Sequence, residues 1–260
     1  MNSRILFLAM IMALSSFSYL YSQDDEIDTL TFETTETVEE ERVYFALAGG
    51  YAGDFGFFNF DELNIKLQSM KMDLDELKSP VFMQGAQGFT GLGILNMPLF
   101  KNMRLGYIGI GGSALSEKEV GGKTHGFQYD IGMSGISLDY GFVPFRSLAV
   151  LIGVTGGWGS IKIEAYETDK DFDWTEIDPV LPDGNYYQSA EASLMFVRPN
   201  LYIEYAILPY LMARANVGYN FTFLNDWKFN KTAALQNVPK EINGNGLSLQ
   251  FGIFLGMFNY

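Results

Sequence analysis

The sequence predicts an all-β fold: an antiparallel, up-and-down transmembrane β-barrel of about eight strands, with one amphipathic helix in the first long loop. Three observations predict it. Charged residues make up 18% of the chain and aromatics 15%, a charge-poor balance. Yet after residue 23 no run approaches the 18 or more apolar residues of a membrane helix; Leu148 to Val154 is the longest, broken by Gly153. Period-2 alternation recurs along the chain, and the connections between alternating segments differ in length in an ordered way. Only helices and closed barrels satisfy every backbone polar group inside a bilayer, so a β-rich chain of this composition points to the barrel.

Residues 1–23 read as a secretory signal: Arg4 opens a positive region, Ile5 to Leu14 is apolar, and Ser16, Ser18 and Ser22 offer small residues for cleavage. The chain has no Cys, which excludes an acylated lipoprotein, a disulfide framework and thiolate metal sites. Residues 24–42 hold nine acids and one Arg without apolar periodicity, so they read as a disordered acidic leader. They supply much of the net charge of −14, a balance that argues against nucleic-acid binding. The barrel domain is assigned to 43–260.

Eight strands are expected at roughly 43–53, 81–95, 103–115, 124–142, 147–164, 187–206, 211–224 and 245–260. The alternation is clearest in 211–223, where Leu211, Ala213, Ala215, Val217, Tyr219, Phe221 and Phe223 share one face. In 195–206, Met195, Val197, Pro199, Leu201, Ile203 and Tyr205 do the same. Phe127, Tyr129, Ile131 and Met133 alternate with polar or small neighbours, and the apolar face then resumes one residue out of phase at Ile136, Leu138, Tyr140 and Phe142. That slip, near Ser134 and Gly135, reads as a β-bulge. NMPLFKN, VPFR and ILPY are short connections at one end of the strands; SEKEVGGK and three longer segments lie at the other. Short turns at one end, longer loops at the other and an even strand number resemble the small eight-stranded outer-membrane β-barrel proteins. The resemblance covers 43–260 and is one of topology. It implies outer-membrane residence in a diderm bacterium, a monomer, outer-membrane lipid and the barrel-assembly machinery as partners, and external long loops. It also implies that a C-terminal aromatic on an alternating strand serves as an assembly signal, here Phe258 and Tyr260. Both share the parity of the inward face, opposite to Leu247, Leu249, Phe251, Ile253, Leu255 and Met257. Either a bulge lies near Gly256 or the faces are inverted there.

Two aromatic girdles are expected, Tyr51, Phe127, Tyr129, Trp158, Tyr219 and Phe221 toward the long loops, and Phe100, Tyr140, Phe142, Phe145, Tyr205 and Tyr210 toward the tight turns. In 59–79, Phe60, Leu63, Leu67, Met70, Leu74 and Leu77 form a helical stripe. Asn59 stands as N-cap and Glu62 as its capping-box partner. Its stripe is expected to pack on the barrel mouth; the alternative is a plug, a gate or a partner-binding element. Glycines in the second, third and fifth strands either make room for large groups or let the sheet bend.

Arg104, Asp130, Asp139, Arg198, Glu204 and Arg214 all fall on expected inward faces. Unpaired buried charge is costly, so an interior salt-bridged network is expected rather than an open pore. Asp169, Asp171 and Asp173 have the spacing of a calcium loop, but Trp174 and Val180 occupy its glycine and closing-glutamate positions. A solvated acidic loop is the default there. GIGGSA at 109–114 lacks the helix and distal acid of a dinucleotide site, and no cofactor is expected. His125 is the single histidine, and Ser113 or Ser116 could complete a Ser-His-acid site. No Ser lies within two residues C-terminal to it, where the lipid-deacylating barrels place theirs. The expected function is non-catalytic: structural or surface-binding work through the external loops. The alternatives are a narrow channel or transport component gated by 59–79, and a lipid-modifying barrel enzyme.

Overall fold

The computed structural model describes residues 43–95, 97–169 and 184–260. The expected signal segment, acidic leader, Asp171 and Asp173 lie outside them. Eight long strands form the wall: β1 (Phe45–Phe58), β2 (Val81–Gly91), β3 (Met103–Val120), β4 (Lys123–Phe145), β5 (Leu148–Asp169), β6 (Tyr186–Leu208), β7 (Leu211–Leu224) and β10 (Gly246–Asn259). Two short strands, β8 (Lys228–Phe229) and β9 (Ala233–Ala234), append to the outer end of β6. Every pairing is antiparallel, β10 closes against β1, and β5 pairs with β6, so the sheet is a complete ring. Closure removes the free edges that an open sheet would expose.

Burial alternates along the strands. Outward positions of β7 and β10, from Val217 to Phe223 and Leu247 to Met257, are apolar or aromatic and largely exposed. No outward position of β1, β7 or β10 carries a charge. Large exposed apolar side chains continuous around a closed barrel are what a lipid-facing wall requires.

Four expectations need correction. No bulge interrupts β4 near Ser134; its register with β3 and β5 runs unbroken through that point. The apolar set instead changes face. Ile136, Leu138, Tyr140 and Phe142 are exposed outside, whereas Phe127, Tyr129, Ile131 and Met133 are buried inside. Polar Gln128, Asp130 and Ser134 take the outward positions above. The strand leaves the apolar solvent there and continues as the wall of a water-exposed, internally packed extension. Phe127 and Tyr129 therefore do not belong to an aromatic girdle, although Tyr51, Trp158, Tyr219 and Phe221 do project outward.

The third to fourth connection is not a loop. β3 and β4 pair out to Val120 and Lys123, and Gly121 and Gly122 alone make the turn, with φ of +64° and +86°. A two-residue hairpin turn with both φ positive favours glycine at both places. The helix is half the expected length: α1 covers Asp61–Ser69. Asn59 Oδ1 accepts from the Asp61 amide at 2.8 Å, but Glu62 completes no capping box. Beyond Ser69 the chain turns back, held by Asn64, whose Oδ1 accepts from Leu77 N at 2.8 Å and whose Nδ2 donates to Leu77 O at 3.2 Å. Leu77 is thus buried beside the helix without being helical.

The room-making reading of the glycines holds at Gly157 on the fifth strand, where a Cβ would meet the Phe196 ring at 2.8 Å. A Cβ on Gly85 would stand 1.9 Å from Gly109 O, so the strands there approach too closely for any side chain. On β4, apart from those strands, a Cβ at Gly141 would strike the Tyr44 ring at 2.7 Å.

Candidate functional site

The lumen is filled in three layers among the described residues. At the long-loop end Phe60, Leu63 and Leu67 of the helical segment pack with Ile108, Ile131, Met133, Leu194 and Phe196 from the wall. The helix therefore caps the mouth with its apolar stripe, and Phe58 and Phe60 of the FGFFNF run point into the same cluster while Phe55 and Phe57 face outward.

A polar layer lies beneath. Arg198 Nη1 donates to Asp54 Oδ2 at 3.0 Å and to Ser248 Oγ at 3.2 Å, and Ser248 Oγ stands 2.7 Å from both Asp54 oxygens. Asn200 Nδ2 donates to Thr155 Oγ1 at 3.0 Å.

Nearest the tight turns is a charged cluster enclosed by aromatic rings. Arg104 donates through Nε and Nη2 to Asp139 Oδ2, at 3.0 and 2.9 Å. Its Nη1 reaches Glu204 Oε1 and the Tyr44 hydroxyl, and Tyr44 in turn donates to Glu204 Oε2 at 3.0 Å. Arg214 Nη1 lies 3.4 Å from Glu204 Oε1, and its Nη2 donates to Gln87. The Arg214 guanidinium sits 3.9 Å over the Phe254 ring and that of Arg104 4.3 Å over Phe89. Such cation–π placement offsets part of the desolvation of the two cations. Gly153 leaves space for Asp139, whose Oδ1 a Cβ there would meet at 2.1 Å.

The expected interior set thus divides. Arg104, Asp139, Glu204 and Arg214 meet in one cluster. Arg198 forms a separate pair with Asp54. Asp130 faces outward on the extension, where it accepts from Ser113 Oγ and Gln128 Nε2, each at 2.6 Å. Tyr44, Asp54 and Gln87 join the interior without being among the expected residues. Asp54 lies one residue past the expected end of the first strand, and Tyr44 shares the inward parity of Ala46 and Ala48.

The termini of the ring settle the orientation of the last aromatics. β1 and β10 pair without a slip from Phe58↔Gly246 to Phe45↔Asn259, so no bulge lies near Gly256. Tyr260 points into the lumen, stacked on Tyr44 at 5.2 Å, with its hydroxyl 3.1 Å from Met212 Sδ. Phe258 packs against Tyr260 edge-on at 6.3 Å.

Of the remaining candidates, His125 Nδ1 lies 3.8 Å from Glu167 Oε2 on the inner side of the extension. Ser113 projects from the opposite side of the sheet; Ser116 is buried. Asp169 is engaged by Asn185, which donates to its Oδ2 at 2.9 Å and accepts from its amide. Outside the bilayer, Lys118 hydrogen-bonds Asp73, joining the helical loop to the β3–β4 hairpin, and holds that carboxyl below its usual range. Burial, reinforced by the Glu117 carboxylate 2.7 Å away, pushes the Tyr166 phenol up to about 12.

The long connection between β7 and β10 encloses an open cleft of about 580 Å³, lined by Asn225, Asp226, Trp227, Gln236, Asn237 and Lys240. Its frame is fixed by asparagine amides. Asn245 Oδ1 accepts from Thr222 N and Oγ1 at 2.6 and 2.9 Å, Asn243 Oδ1 accepts from Asn245 N at 2.8 Å, and Asn225 Nδ2 donates to Ser193 Oγ at 2.9 Å.

A closed eight-stranded antiparallel barrel, apolar outside and packed inside, is the architecture of a small outer-membrane-type β-barrel protein. No protein-family model and no curated protein matches the chain. Among solved structures it is similar to a major outer membrane protein of Thermus thermophilus, with 12% identity, a TM-score of 0.43, and coverage of 82% of this chain and 99% of that one. It is also similar to the attachment invasion locus protein Ail of Yersinia pestis, solved with the heparin analogue sucrose octasulfate, with 10% identity, a TM-score of 0.39, and coverage of 83% and 99%. The outer membrane protease OmpT of Escherichia coli is similar at 9% identity, a TM-score of 0.31, and coverage of 89% and 99%.

Proposed function

We propose that this protein is a non-catalytic barrel of the outer membrane that binds a small polar ligand at the cell surface through its external loops. The observation that carries the reading is the contrast between a lumen filled along its length and a framed, open cleft on the β7–β10 loop. A cleft of about 580 Å³ falls within the usual range for small-ligand sites. Its Gln236 and Asn237 amides present donors and acceptors together, matched to hydroxyl or amide groups, while Asp226 and Lys240 leave it without net charge.

Vesicles carrying the full chain are expected to be retained on beads bearing neutral oligosaccharides more strongly than protein-free vesicles. The double variant Gln236→Ala, Asn237→Ala should weaken that retention by about tenfold, the loss of two modest hydrogen bonds. Equal retention with and without the protein would overturn the reading.

The gated-channel alternative makes an opposite prediction. Replacing residues 60–79 by two glycines removes the mouth cap but leaves the Arg198–Asp54 layer and the Arg104 cluster beneath it. Planar-bilayer recordings are expected to show no conductance steps above background for either protein. Steps that appear on removal of the helix would instead make α1 a gate.

A further inference from the structure

We infer that the β2–β3 connection is a membrane anchor: an apolar elbow, residues 92–95 and 97–100, whose occupant is the phospholipid of the leaflet nearer the tight turns. β2 and β3 stop at Gly91 and Met103, whereas β4 continues to Phe145 and β1 pairs with β10 down to Phe45. The notch left beneath β2 and β3 is bridged by Asn102. Its Oδ1 accepts from Tyr44 N at 2.8 Å and its carbonyl from Gly141 N at 2.7 Å. With β1 and β4 tied together there, the preceding residues lie outside the wall.

Those residues are unlike a water-exposed turn. From Leu92 to Phe100 no side chain is charged. Ile94 is 64% exposed, Met97 54% and Leu99 77%. The connection leads into β3, whose Leu105 is exposed on the outward face, at the end where Tyr140, Phe142 and Phe145 of β4 project outward. Irregular backbone survives near hydrocarbon only where its own polar groups are satisfied. Here the chain coils into two 3-10 turns, 92–95 and 98–100. Phe100 N donates to Met97 O at 2.9 Å, Lys101 N to Pro98 O at 3.3 Å, and Pro98 has no N–H to satisfy. Several large apolar side chains exposed on one connection mark an interaction surface. Continuity with the lipid-facing wall, at the end where its aromatic residues project, selects lipid over a second copy of the chain or a soluble partner. This inference rests on the membrane-spanning reading and is independent of the cleft.

The chain has no cysteine, so a nitroxide on Leu99→Cys reports one position in the full-length protein in phospholipid vesicles. Ile152→Cys on the wall and Arg146→Cys in the neighbouring tight turn calibrate the measurement. The ratio of oxygen to nickel-chelate accessibility at Leu99→Cys, and at Met97→Cys, is expected to approach that of Ile152→Cys. A ratio equal to that of Arg146→Cys overturns the anchor, as does label–label dipolar broadening, which would make a second copy the occupant. A low ratio at Ile152→Cys as well would overturn the membrane-spanning reading itself.

Discussion

Glu204→Ala is expected to destabilise the barrel by about 3–5 kcal/mol, the scale for removing one partner from a buried ion network. Glu204 is fully buried and serves three groups: Oε1 faces Arg104 and Arg214, and Oε2 accepts from Tyr44. Two arginines and two carboxylates balance in this cluster, so the truncation leaves one uncompensated cation in the lumen. The rings of Phe89, Tyr202 and Phe254 soften that loss without cancelling it, because a ring face supplies less than a carboxylate. Adding Arg214→Ala restores charge balance, so the double variant should be less destabilised than the sum of its single changes. Urea titration of the folded fraction in lipid vesicles measures both. Asp130→Ala is the control, expected to cost about 1 kcal/mol, the scale for losing its half-buried hydrogen bonds to Ser113 and Gln128. A Glu204→Ala loss no larger than that of the control would show that the cluster does not hold the barrel together.

The cluster is legible in the sequence to the extent that parity is legible. Arg104, Asp139, Glu204 and Arg214 each interrupt an apolar alternation on one side, and a filled lumen leaves them no charged partner except one another. Asp54 is not visible because it sits in the glycine-rich stretch YAGDFGFF, where small residues blur which face is buried. Tyr44 is not visible because its contacts are with residues distant in sequence, Asn102 and Glu204. The length of the helix misleads for a related reason. Met70, Leu74 and Leu77 continue the helical spacing by coincidence, since a returning extended segment can also bury one residue in three or four. The side chain of Asn64, tied to the Leu77 backbone, is what replaces the missing turns.

The most informative misreading concerns Asp130. Its alternation is plain in the sequence, but a phase change at Ser134 looks like a bulge, and a bulge there places Asp130 in the lumen. In fact the strand keeps its register and the solvent changes. The same inversion occurs on β5, where outward Ile152, Val154 and Trp158 give way to Ser160, Lys162 and Glu164, while inward Thr155 gives way to Ile161 and Ala165. On β6 outward Met195 follows Ser193 and Glu191, and inward Phe196 precedes Arg198. Strands of 22 and 23 residues exceed the roughly 9–11 needed to cross a bilayer, so the upper half of each must stand in water. An arginine scan along one outward face therefore locates the boundary. Ile152→Arg, opposite Leu201 and Tyr140 on the lipid face, is expected to cost about 2–4 kcal/mol, the depth-dependent scale for a cation on a barrel's lipid face. Ser160→Arg, further along the same face and paired with Ser193, is expected to stay within about 0.5 kcal/mol. Urea titration in lipid vesicles reads the difference. Equal penalties at the two sites would mean that one environment covers the whole strand, and the change of apolar face at Ser134 would then need a cause other than the edge of the membrane.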